Sequence, residues 1–376
     1  MTDELGHPEL IAHLIRLMQN SPDGAIPFRD YMEQALYHEQ YGYYRTERPK
    51  IGKEGDFYTS SNVGTVMGEV LAAYAAEAAA ALAAPGGRLT VVEFGGGSGR
   101  LAAQLLDALR QRGDAAYSSV QLVMIETSPF HRTLQQEALA LHPGKVRWSS
   151  EAEWLERGET EGVLAIANEL LDAFPVHLLE ADDAGRPHQI FVAWDADRRR
   201  FTERRKPLSD PHIAAYLAAE GVHLAPGQRA EVNLDADAWV ARMCKRLRRG
   251  RLLVIDYGDV SAELYAPHRM RGTLLGYSRH VAAERPYERV GGQDLTAHVN
   301  FSACERAGIA AGATRSELLT QREFLLRHGA LQLLQEGGYG DPFGPVARRN
   351  RAVRQLLLSD NMSELFKVLM LEKLQR

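Results

Sequence analysis

The fold of this chain is decided by the stretch Leu89-Thr-Val-Val-Glu-Phe-Gly-Gly-Gly-Ser-Gly-Arg100. Its first half is apolar and β-branched, its second half is a cluster of glycines, and an Ala/Leu-rich run of helical spacing follows to about Leu109. This order predicts a strand, a tight turn and a helix. A second apolar run, from Val120 to Glu126, predicts the next strand. Together these elements form half of a βαβ unit of the kind that binds nucleotides.

Two cofactor patterns fit the glycine loop. An acidic residue followed by three alternate glycines, as in residues 93–99, is typical of S-adenosylmethionine (SAM) sites, whereas the Gly-x-Gly-x-x-Ala pattern from Gly97 satisfies the dinucleotide fingerprint. Glycines let the backbone turn sharply and approach a ligand closely. Glu93 and Glu126 bracket the loop with negative charge, which suits a cationic cofactor and opposes a pyrophosphate. The charge pattern therefore favours SAM; a glycine turn that only packs the helix on the strand is the structural alternative.

Composition narrows the functional class. The chain has 376 residues, enough for one large α/β domain with insertions or for two domains, and 45% of them are hydrophobic. A net charge of −5 provides no overall attraction to nucleic acid or to an anionic membrane. Two cysteines and no Cys/His cluster predict a reducing compartment and no metal site. The first residues lack signal- or transit-peptide character and no apolar run is long enough to span a bilayer, so we expect a cytoplasmic protein.

A second group of polar residues follows a later apolar run. Residues 162–167 predict a buried strand, and Asn168, Glu169 and Asp172 come directly after it. Strands and helices alternate up to this point, which predicts a parallel sheet with right-handed crossovers. Because ligands bind outside the carboxyl ends of such strands, we expect these side chains to face the same crevice as the glycine loop. For Asp172, a charge that complements a helix N-terminus is the alternative interpretation.

The alternation breaks between residues 176 and 206, where three short runs separated by polar turns predict antiparallel strands. We therefore expect four segments: 1–84, helical, with a loop that folds over the cofactor; 85–175, the cofactor-binding half; 176–232, an inserted substrate region; and 233–376, the rest of the sheet and C-terminal helices. The loop is the polar stretch at residues 52–61, which contains Thr59. Helices are expected from Glu323 to Gln335 and from Arg351 to Lys373.

Taken together, these segments resemble the MidA family of SAM-dependent methyltransferases. The resembling motifs occur in the family's order over nearly the whole chain: Ala35-Leu-Tyr-x-x-x-x-Gly42-Tyr43-Tyr44, Gly55-Asp56-Phe57-x-Thr59-Ser60, Glu93-Phe-Gly95 to Gly99, Asn168-Glu169-x-x-Asp172-Ala-x-Pro175-Val176, Ile255-Asp256-Tyr257-Gly258, Gly272-Thr273-Leu274 and Gln293-Asp294-Leu-Thr296-Ala297-His298-Val-x-Phe301. The chain departs from the family where its glycine loop reads Gly-Gly-Gly-Ser-Gly instead of Gly-Pro-Gly-x-Gly, and where Ser61-Asn62 replaces Pro-Glu.

The resemblance implies a fold and an activity. The fold would be α/β: a class I methyltransferase Rossmann-like sheet of seven strands, with an N-terminal helical extension and an inserted, mainly antiparallel substrate region. The family's mitochondrial relatives are complex I assembly factors that dimethylate an arginine of a respiratory-complex subunit. We therefore expect a SAM-dependent methyltransferase that modifies a protein arginine.

Methyl transfer needs a nucleophile aligned with the methyl group and a group that takes its proton. For cofactor binding the candidates are Thr59, Glu93, Gly95, Gly97, Gly99, Glu126, Thr127 and Asn168. Among them, Glu93 is expected to face the ammonium end of SAM and Glu126 the ribose. For catalysis the candidates are Glu169 and Asp172, which could hold a guanidinium, and His298, as a base or as a structural hydrogen-bonding group.

Other functions remain open at this stage. The same cleft would serve a methyltransferase for an oxygen or nitrogen of a small molecule, or a SAM-binding assembly protein with little catalysis. An oxidoreductase is the alternative that the dinucleotide pattern allows. The basic runs lack interleaved aromatic residues, which disfavours RNA as the methyl acceptor. The oligomeric state, a homodimer included, and the number of methyl groups added are not determined by the sequence.

Overall fold

The structure, a computed structural model, describes residues 5–46, 50, 63–84, 86–158, 160–278, 281–337, 341–359 and 363–374. The loop expected at residues 52–61, and Thr59 with it, lies outside the described residues.

The helices of the described residues are amphipathic or buried segments with the following bounds: α1 (Pro8–Asn20), α2 (Phe28–Tyr37), α3 (Val66–Leu82), α4 (Arg100–Gln111), α5 (Asp114–Ser118), α6 (Pro129–Ala138), α7 (Glu151–Glu156), α8 (Pro211–Ala219), α9 (Leu234–Arg246), α10 (Ser261–Leu264), α11 (Phe301–Ala310), α12 (Gln321–Arg327) and α13 (Pro345–Leu358). Short 3₁₀ turns occupy Tyr43–Arg45 and Ala330–Leu333.

The strands of the described residues have the following bounds: β1 (Ala25–Pro27), β2 (Leu89–Phe94), β3 (Val120–Ile125), β4 (Val146–Ser149), β5 (Glu161–Asn168), β6 (His177–Ala181), β7 (Pro187–Asp195), β8 (Arg200–Pro207), β9 (Arg229–Val232), β10 (Arg249–Asp259), β11 (Leu275–Ser278), β12 (Val281–Ala283), β13 (Asp294–Thr296), β14 (Val299–Asn300), β15 (Arg315–Thr320) and β16 (Phe366–Leu374).

The chain folds as two compact units, each assembled from three segments. The parallel-sheet unit comprises Tyr58–Leu170, Val240–Tyr257 and Glu305–Arg376. The antiparallel unit comprises Met1–Phe57, Leu171–Trp239 and Gly258–Cys304. The four segments expected from the sequence stay a prediction about domain boundaries.

The parallel-sheet unit contains the expected α/β sheet, in which seven strands lie side by side in the order β15-β16-β10-β5-β2-β3-β4 and β14 adds an eighth at the end of β10. Strands β4, β3, β2, β5 and β10 are parallel, and β16 runs antiparallel between β10 and β15. The carboxyl ends of β2, β3, β5 and β10 therefore lie at one edge of the sheet. Its core is built from β-branched and leucine side chains of the strands, such as Val91 and Leu122, and from the buried faces of α3, α4, α12 and α13.

The end of the chain differs from the sequence expectation. The prediction of a helix from Arg351 to Lys373 is wrong over its second half, because residues 366–374 form β16. In β16, Val368 and Leu371 are buried and the charged side chains fall between apolar ones, which suits a strand enclosed by β10 and β15. The helix predicted from Glu323 to Gln335 ends at Arg327, and Gly329 follows with φ at +93°.

The antiparallel unit contains the predicted insertion. Strands β6, β7 and β8 pair antiparallel, as expected for residues 176–206. Two strands from outside that range complete the sheet: β1 pairs with β7 and β9 pairs with β6. A separate three-stranded sheet has the order β12-β11-β13, and β14 pairs with the last two residues of β10. Helices α1 and α2 bury apolar faces that include Leu10, Leu14 and Phe28 in this unit's core.

Candidate active site

The glycine loop follows β2 at the carboxyl edge of the sheet. Gly95, Gly97 and Gly99 have φ values of +65°, +51° and +77°, a region that side chains larger than glycine seldom adopt. The Gly95 amide donates to the carbonyl of Ile125 at the end of β3, at 3.1 Å. A Cβ atom on Gly95 would lie 2.8 Å from Cδ1 of Leu170, which follows β5. The loop is thus tied to the ends of both neighbouring strands.

Glu93 lies beneath this loop as the fifth residue of β2. Its side chain is buried, with 5% of the residue exposed. No residue that the structure describes hydrogen-bonds or ion-pairs with its carboxylate. Burial, together with the negative charge of Glu126, raises the pKa of Glu93 to about 7. A buried carboxylate without a cationic neighbour is costly, so this position is suited to a ligand that brings positive charge.

Glu126 is oriented by the residues around it. Its Oε1 accepts the amide of Ser128 at 2.8 Å, and its Oε2 accepts Nε2 of Gln135 at 3.1 Å. These contacts hold the carboxylate at the carboxyl end of β3, as the sequence predicted. Nδ1 of His131 lies 3.9 Å from Oε2 as well. A carboxylate accepts hydrogen bonds only, which is the chemistry that the hydroxyls of a ribose diol require. Thr127, the next residue, is exposed beside it.

Gln135 is a site residue that the sequence did not reveal. It is fully buried on α6, and its Nε2 donates to the carbonyl of Gly97 at 3.0 Å as well as to Glu126. Its Oε1 accepts the indole N–H of Trp148 at 3.0 Å. A Cβ atom on Gly99 would lie 2.9 Å from the Cα of Gln135. The only hint in the sequence is a polar residue one helical turn after His131, on the face of α6 that turns inward.

Asn168 and Glu169 end β5 at the same edge. The amide of Asn168 donates through Nδ2 to Oε1 of Glu169 at 3.3 Å. Oδ1 of Asn168 is buried and accepts no hydrogen bond from any described residue. Glu169 has φ at +52°, and its amide donates to the carbonyl of Ile255 on β10 at 2.8 Å. The next amide, that of Leu170, donates to the buried carboxylate of Asp256 at 3.1 Å.

Asp172 and His298 lie in the antiparallel unit. Asp172 is buried in a turn, and no helix begins there, so the interpretation as a helix N-terminal charge does not apply. The Asp172 carbonyl accepts the amide of Ala297 at 3.0 Å. The next amide, that of His298, donates to the hydroxyl of Thr273 at 3.0 Å. The structure thus brings the backbones of Asp172 and His298 close together, while their assignment to catalysis stays a prediction.

Another buried carboxylate of the antiparallel unit belongs to Asp294. Its Oδ1 and Oδ2 lie 2.9 and 2.8 Å from the hydroxyl oxygen of Tyr44. Burial raises the pKa of Tyr44, and the charge of Asp294 raises it further. The ring of Tyr37 stacks on that of Tyr44, and the Tyr37 hydroxyl donates a hydrogen bond to the carbonyl of Ala173 at 2.9 Å. The sequence motif had placed Asp294 in the family pattern without a role.

The residues of the parallel-sheet unit fit SAM. Two carboxylates, Glu93 and Glu126, flank the glycine loop, and that of Glu93 is buried with no cation beside it among the described residues. A pyrophosphate would be repelled by both. When bound, SAM supplies an electrophilic methyl group on a sulfonium ion. Glu93 would hold the cationic end of the amino acid part and Glu126 the ribose hydroxyls.

The described residues contain no group of three or more His, Cys, Asp and Glu side chains placed to hold a metal ion. Within the same residues, every helix is too short or too polar to cross a bilayer.

Comparison with known proteins agrees with this geometry. The model of a family described as S-adenosyl-L-methionine-dependent methyltransferases matches residues 70–318. A COG1565 superfamily member from Burkholderia thailandensis, whose crystal structure contains S-adenosylhomocysteine (SAH), is 33% identical to this chain and superposes with a TM-score of 0.85. The match covers 98% of this chain and 94% of that one.

Curated relatives are more distant in sequence. The Drosophila melanogaster protein named as a mitochondrial protein arginine methyltransferase, NDUFAF7 homolog, is 28% identical over 79% of this chain and 69% of its own length. The mouse protein named NDUFAF7 is 28% identical over 85% of this chain and 74% of its own length. The fold, the cofactor and the class of enzyme expected from the sequence are thereby confirmed. This chain belongs to the MidA-like family of SAM-dependent methyltransferases.

Proposed function

We propose that this methyltransferase modifies an arginine side chain of a protein. Relatives named as protein arginine methyltransferases support the proposal, since they match 79% to 85% of this chain. A second support is the chemistry at the end of β5, where the Glu169 carboxylate accepts the side-chain amide of Asn168, whose own oxygen has no described donor.

The observation that carries the proposal is the buried Oδ1 of Asn168. It lacks a hydrogen-bond donor among the described residues, and Nδ2 of the same side chain donates to the carboxylate of Glu169. Buried acceptors are almost always satisfied, so a missing donor at the end of a sheet strand points to a ligand that brings N–H groups. The sequence predicts Asn168 as a cofactor-binding residue; we propose that the methyl acceptor supplies these N–H groups instead. A guanidinium has five N–H donors in a planar fork and no acceptor, which suits this pair of groups.

The proposed role of Glu169 is to orient the acceptor nitrogen. A bidentate pair between its carboxylate and the guanidinium would fix the plane of the group and draw positive charge away from the nitrogen that reacts. That nitrogen uses its lone pair to form the new N–C bond as the S–C bond of the cofactor breaks, and it then loses a proton to a base. Asp172 and His298 stay candidates for this second task.

The acceptor is tested by supplying the purified protein with methyl-labelled SAM and a cell extract. We expect label in the macromolecular fraction and, after acid hydrolysis, in methylarginine. Label confined to the small-molecule fraction would contradict the proposal and favour a small-molecule methyltransferase. SAH binding without any transfer of label would favour an assembly protein with little catalysis.

The role of Glu169 is tested with Glu169→Gln. We expect turnover to fall by about 100-fold, because the acceptor loses its charged anchor, while the dissociation constant of SAH stays unchanged. Glu161→Gln is the matched control, because Glu161 begins the same strand and has an exposed ion pair with Arg248. Equal turnover of the Glu169 variant and wild type would remove Glu169 from the site.

Two further assignments are proposals of the same kind. We propose that the protein acts in a reducing compartment such as the cytoplasm, because Cys244 and Cys304 are both buried free thiols. The relatives described above are named as mitochondrial proteins, so fractionation of cells that make the tagged chain decides between the compartments. Light scattering of the purified protein tests the homodimer.

A further inference from the structure

Glu169 is held in a backbone conformation that it does not prefer. Its φ of +52° lies in the left-handed region, where the Cβ of an L-residue crowds the following carbonyl. Glycine, not glutamate, is the usual residue there. Non-glycine residues in this region persist only where surrounding contacts force them, and they concentrate at functional sites.

Strand β10 provides the contacts that hold this conformation. The Glu169 amide donates to the backbone carbonyl of Ile255 at 2.8 Å. The Leu170 amide donates to Oδ2 of Asp256 at 3.1 Å, so a side chain replaces the backbone acceptor one residue later. Two successive amides are therefore bound to β10 while the chain turns away from the sheet.

The Asp256 position requires a carboxylate. Its side chain is completely buried, and its other oxygen, Oδ1, accepts the amide of Tyr257 at 3.0 Å. Two backbone N–H groups thus need two acceptor oxygens on one side chain. Asparagine has a single oxygen, so one of the two amides would face an NH₂ group and lose its acceptor. Burial makes that loss expensive, because water cannot replace the missing partner.

The turn is also packed against the cofactor loop. Cδ1 of Leu170 fills the space where a Cβ atom of Gly95 would lie, at 2.8 Å. Leu170 therefore has two contacts: its amide donates to Asp256, and its side chain packs against the glycine loop. A displacement of this turn would change the position of Glu169 relative to the loop.

From these contacts we infer that Asp256 is a positioning residue for methyl transfer, which acts by holding the Asn168–Leu170 turn and, through it, the carboxylate of Glu169. The inference rests on the proposed role of Glu169 as the anchor of the acceptor. Asp256 itself lies beneath the turn and need not touch either substrate.

The test compares Asp256→Asn with wild type in SAM-dependent label transfer to whichever acceptor fraction wild type labels. We expect kcat to fall by about 10- to 100-fold, the range that a small misplacement of a reacting group produces. The dissociation constant of SAH, measured by calorimetry, should stay unchanged because the hydrogen bonds of the glycine loop are intact. Asp259→Asn is the matched control, since Asp259 lies on the same strand and its Oδ1 accepts the amide of Val260.

A double-mutant cycle separates positioning from a general loss of stability. If Asp256 acts through Glu169, the residual kcat of Glu169→Ala is not lowered further when Asp256→Asn is added. A further fall by the full single-variant factor would overturn the inference, as would a wild-type kcat in Asp256→Asn. Should Asp256→Asn fail to bind SAH, Asp256→Glu replaces it; that variant keeps two oxygens but shifts the turn, and an unchanged kcat would equally overturn the inference.

The outcomes also distinguish this inference from the proposed function. Label in small molecules instead of methylarginine overturns the arginine proposal, but the effect of Asp256→Asn is still measured on that acceptor. A Glu169→Ala variant with wild-type kcat removes the anchor role on which the inference rests.

Discussion

Glu231 and Thr273 are joined by both the backbone and the side chain of Thr273, since its amide and its hydroxyl each lie 2.9 Å from Oε2 of Glu231. The amide of Leu274 donates to the other oxygen at 3.2 Å. The Thr273 hydroxyl in turn accepts the amide of His298. A Cβ atom on Gly272 would lie 2.2 Å from the Glu231 carboxylate, which explains the glycine of the Gly-Thr-Leu motif. The motifs around residues 273 and 298 are thus connected through one hydroxyl group.

Replacement of Thr273 by valine tests this connection. Valine keeps the β-branched shape but has no hydroxyl, so Glu231 loses a donor and the His298 amide loses its acceptor. We expect the free energy of unfolding to fall by about 1–3 kcal/mol, the cost of leaving buried polar groups unpaired. Urea denaturation is the measurement, and Thr273→Ser, which keeps the hydroxyl, is the control. Equal stability of the valine and serine variants would contradict the expectation.

The buried Glu93 predicts a pH-dependent stability. Burial and Glu126 raise its pKa from 4.5 to about 7 in the folded protein. Between these values the folded state binds more protons than the unfolded state, so the free energy of unfolding falls as pH rises through this window and levels off above pH 7. The ionised group costs up to about 3 kcal/mol, at about 1.4 kcal/mol for each pKa unit.

Glu93→Gln removes this titration. In urea denaturation without cofactor, we measure the free energy of unfolding of wild type minus that of the variant. We expect this difference to decline from pH 5 to pH 7 and then to stay constant. A difference that does not vary with pH would show that Glu93 is ionised throughout. Because a cationic ligand favours the ionised form, SAM binding near pH 6.5 should also release a proton, which calorimetry in buffers of different ionisation enthalpy detects.

Gln135 is expected to control cofactor affinity without touching the methyl group. Gln135→Met keeps a similar volume but removes the hydrogen bonds to the Gly97 carbonyl and to Glu126. At about 1 kcal/mol for each net hydrogen bond, the loss of both predicts a dissociation constant of SAH that rises by roughly 30-fold. Gln136→Met is the control, since Gln136 is the next residue on α6 and is exposed. Equal affinities in the two variants would show that Gln135 only packs the helix.

Gly95 and Gly86 form a matched pair for the glycine loop. Both have positive φ, +65° and +72°, but a Cβ atom would meet Leu170 at Gly95 and nothing within 4 Å at Gly86. Alanine at either position is destabilised by about 1 kcal/mol, because its Cβ crowds the following carbonyl in the left-handed conformation. Only Gly95→Ala also places a methyl group against the tip of the Leu170 side chain and so strains the glycine loop itself, and we expect it to weaken SAH binding and lower turnover while Gly86→Ala keeps both. Calorimetric titration of both variants measures the difference.

The extent to which the site was predictable differs between its residues. The sequence singles out Glu93, Glu126, Asn168 and Glu169 because each lies at or near the end of an apolar strand, and strand ends meet at one edge of a parallel sheet. Their position at that edge is confirmed, and their roles stay predictions. Asp256 was seen at the end of another strand, but its function as an acceptor for Leu170 depends on a hydrogen bond between residues 86 positions apart. No local pattern indicates such a contact.

The sequence by itself determined the alternating strands and helices, the glycine turn and the charge beside it, because these depend on the spacing of apolar residues and on the conformational freedom of glycine. Tertiary structure alone decided that β16 enters the sheet in place of a helix and that β1 and β9 join the inserted strands. It also decided that the side chains of Gln135, Asp256 and Glu231 form hydrogen bonds to the backbone of loops distant in sequence. The physical reason is that a buried polar group is defined by the partner that satisfies it, and that partner comes from a distant part of the chain.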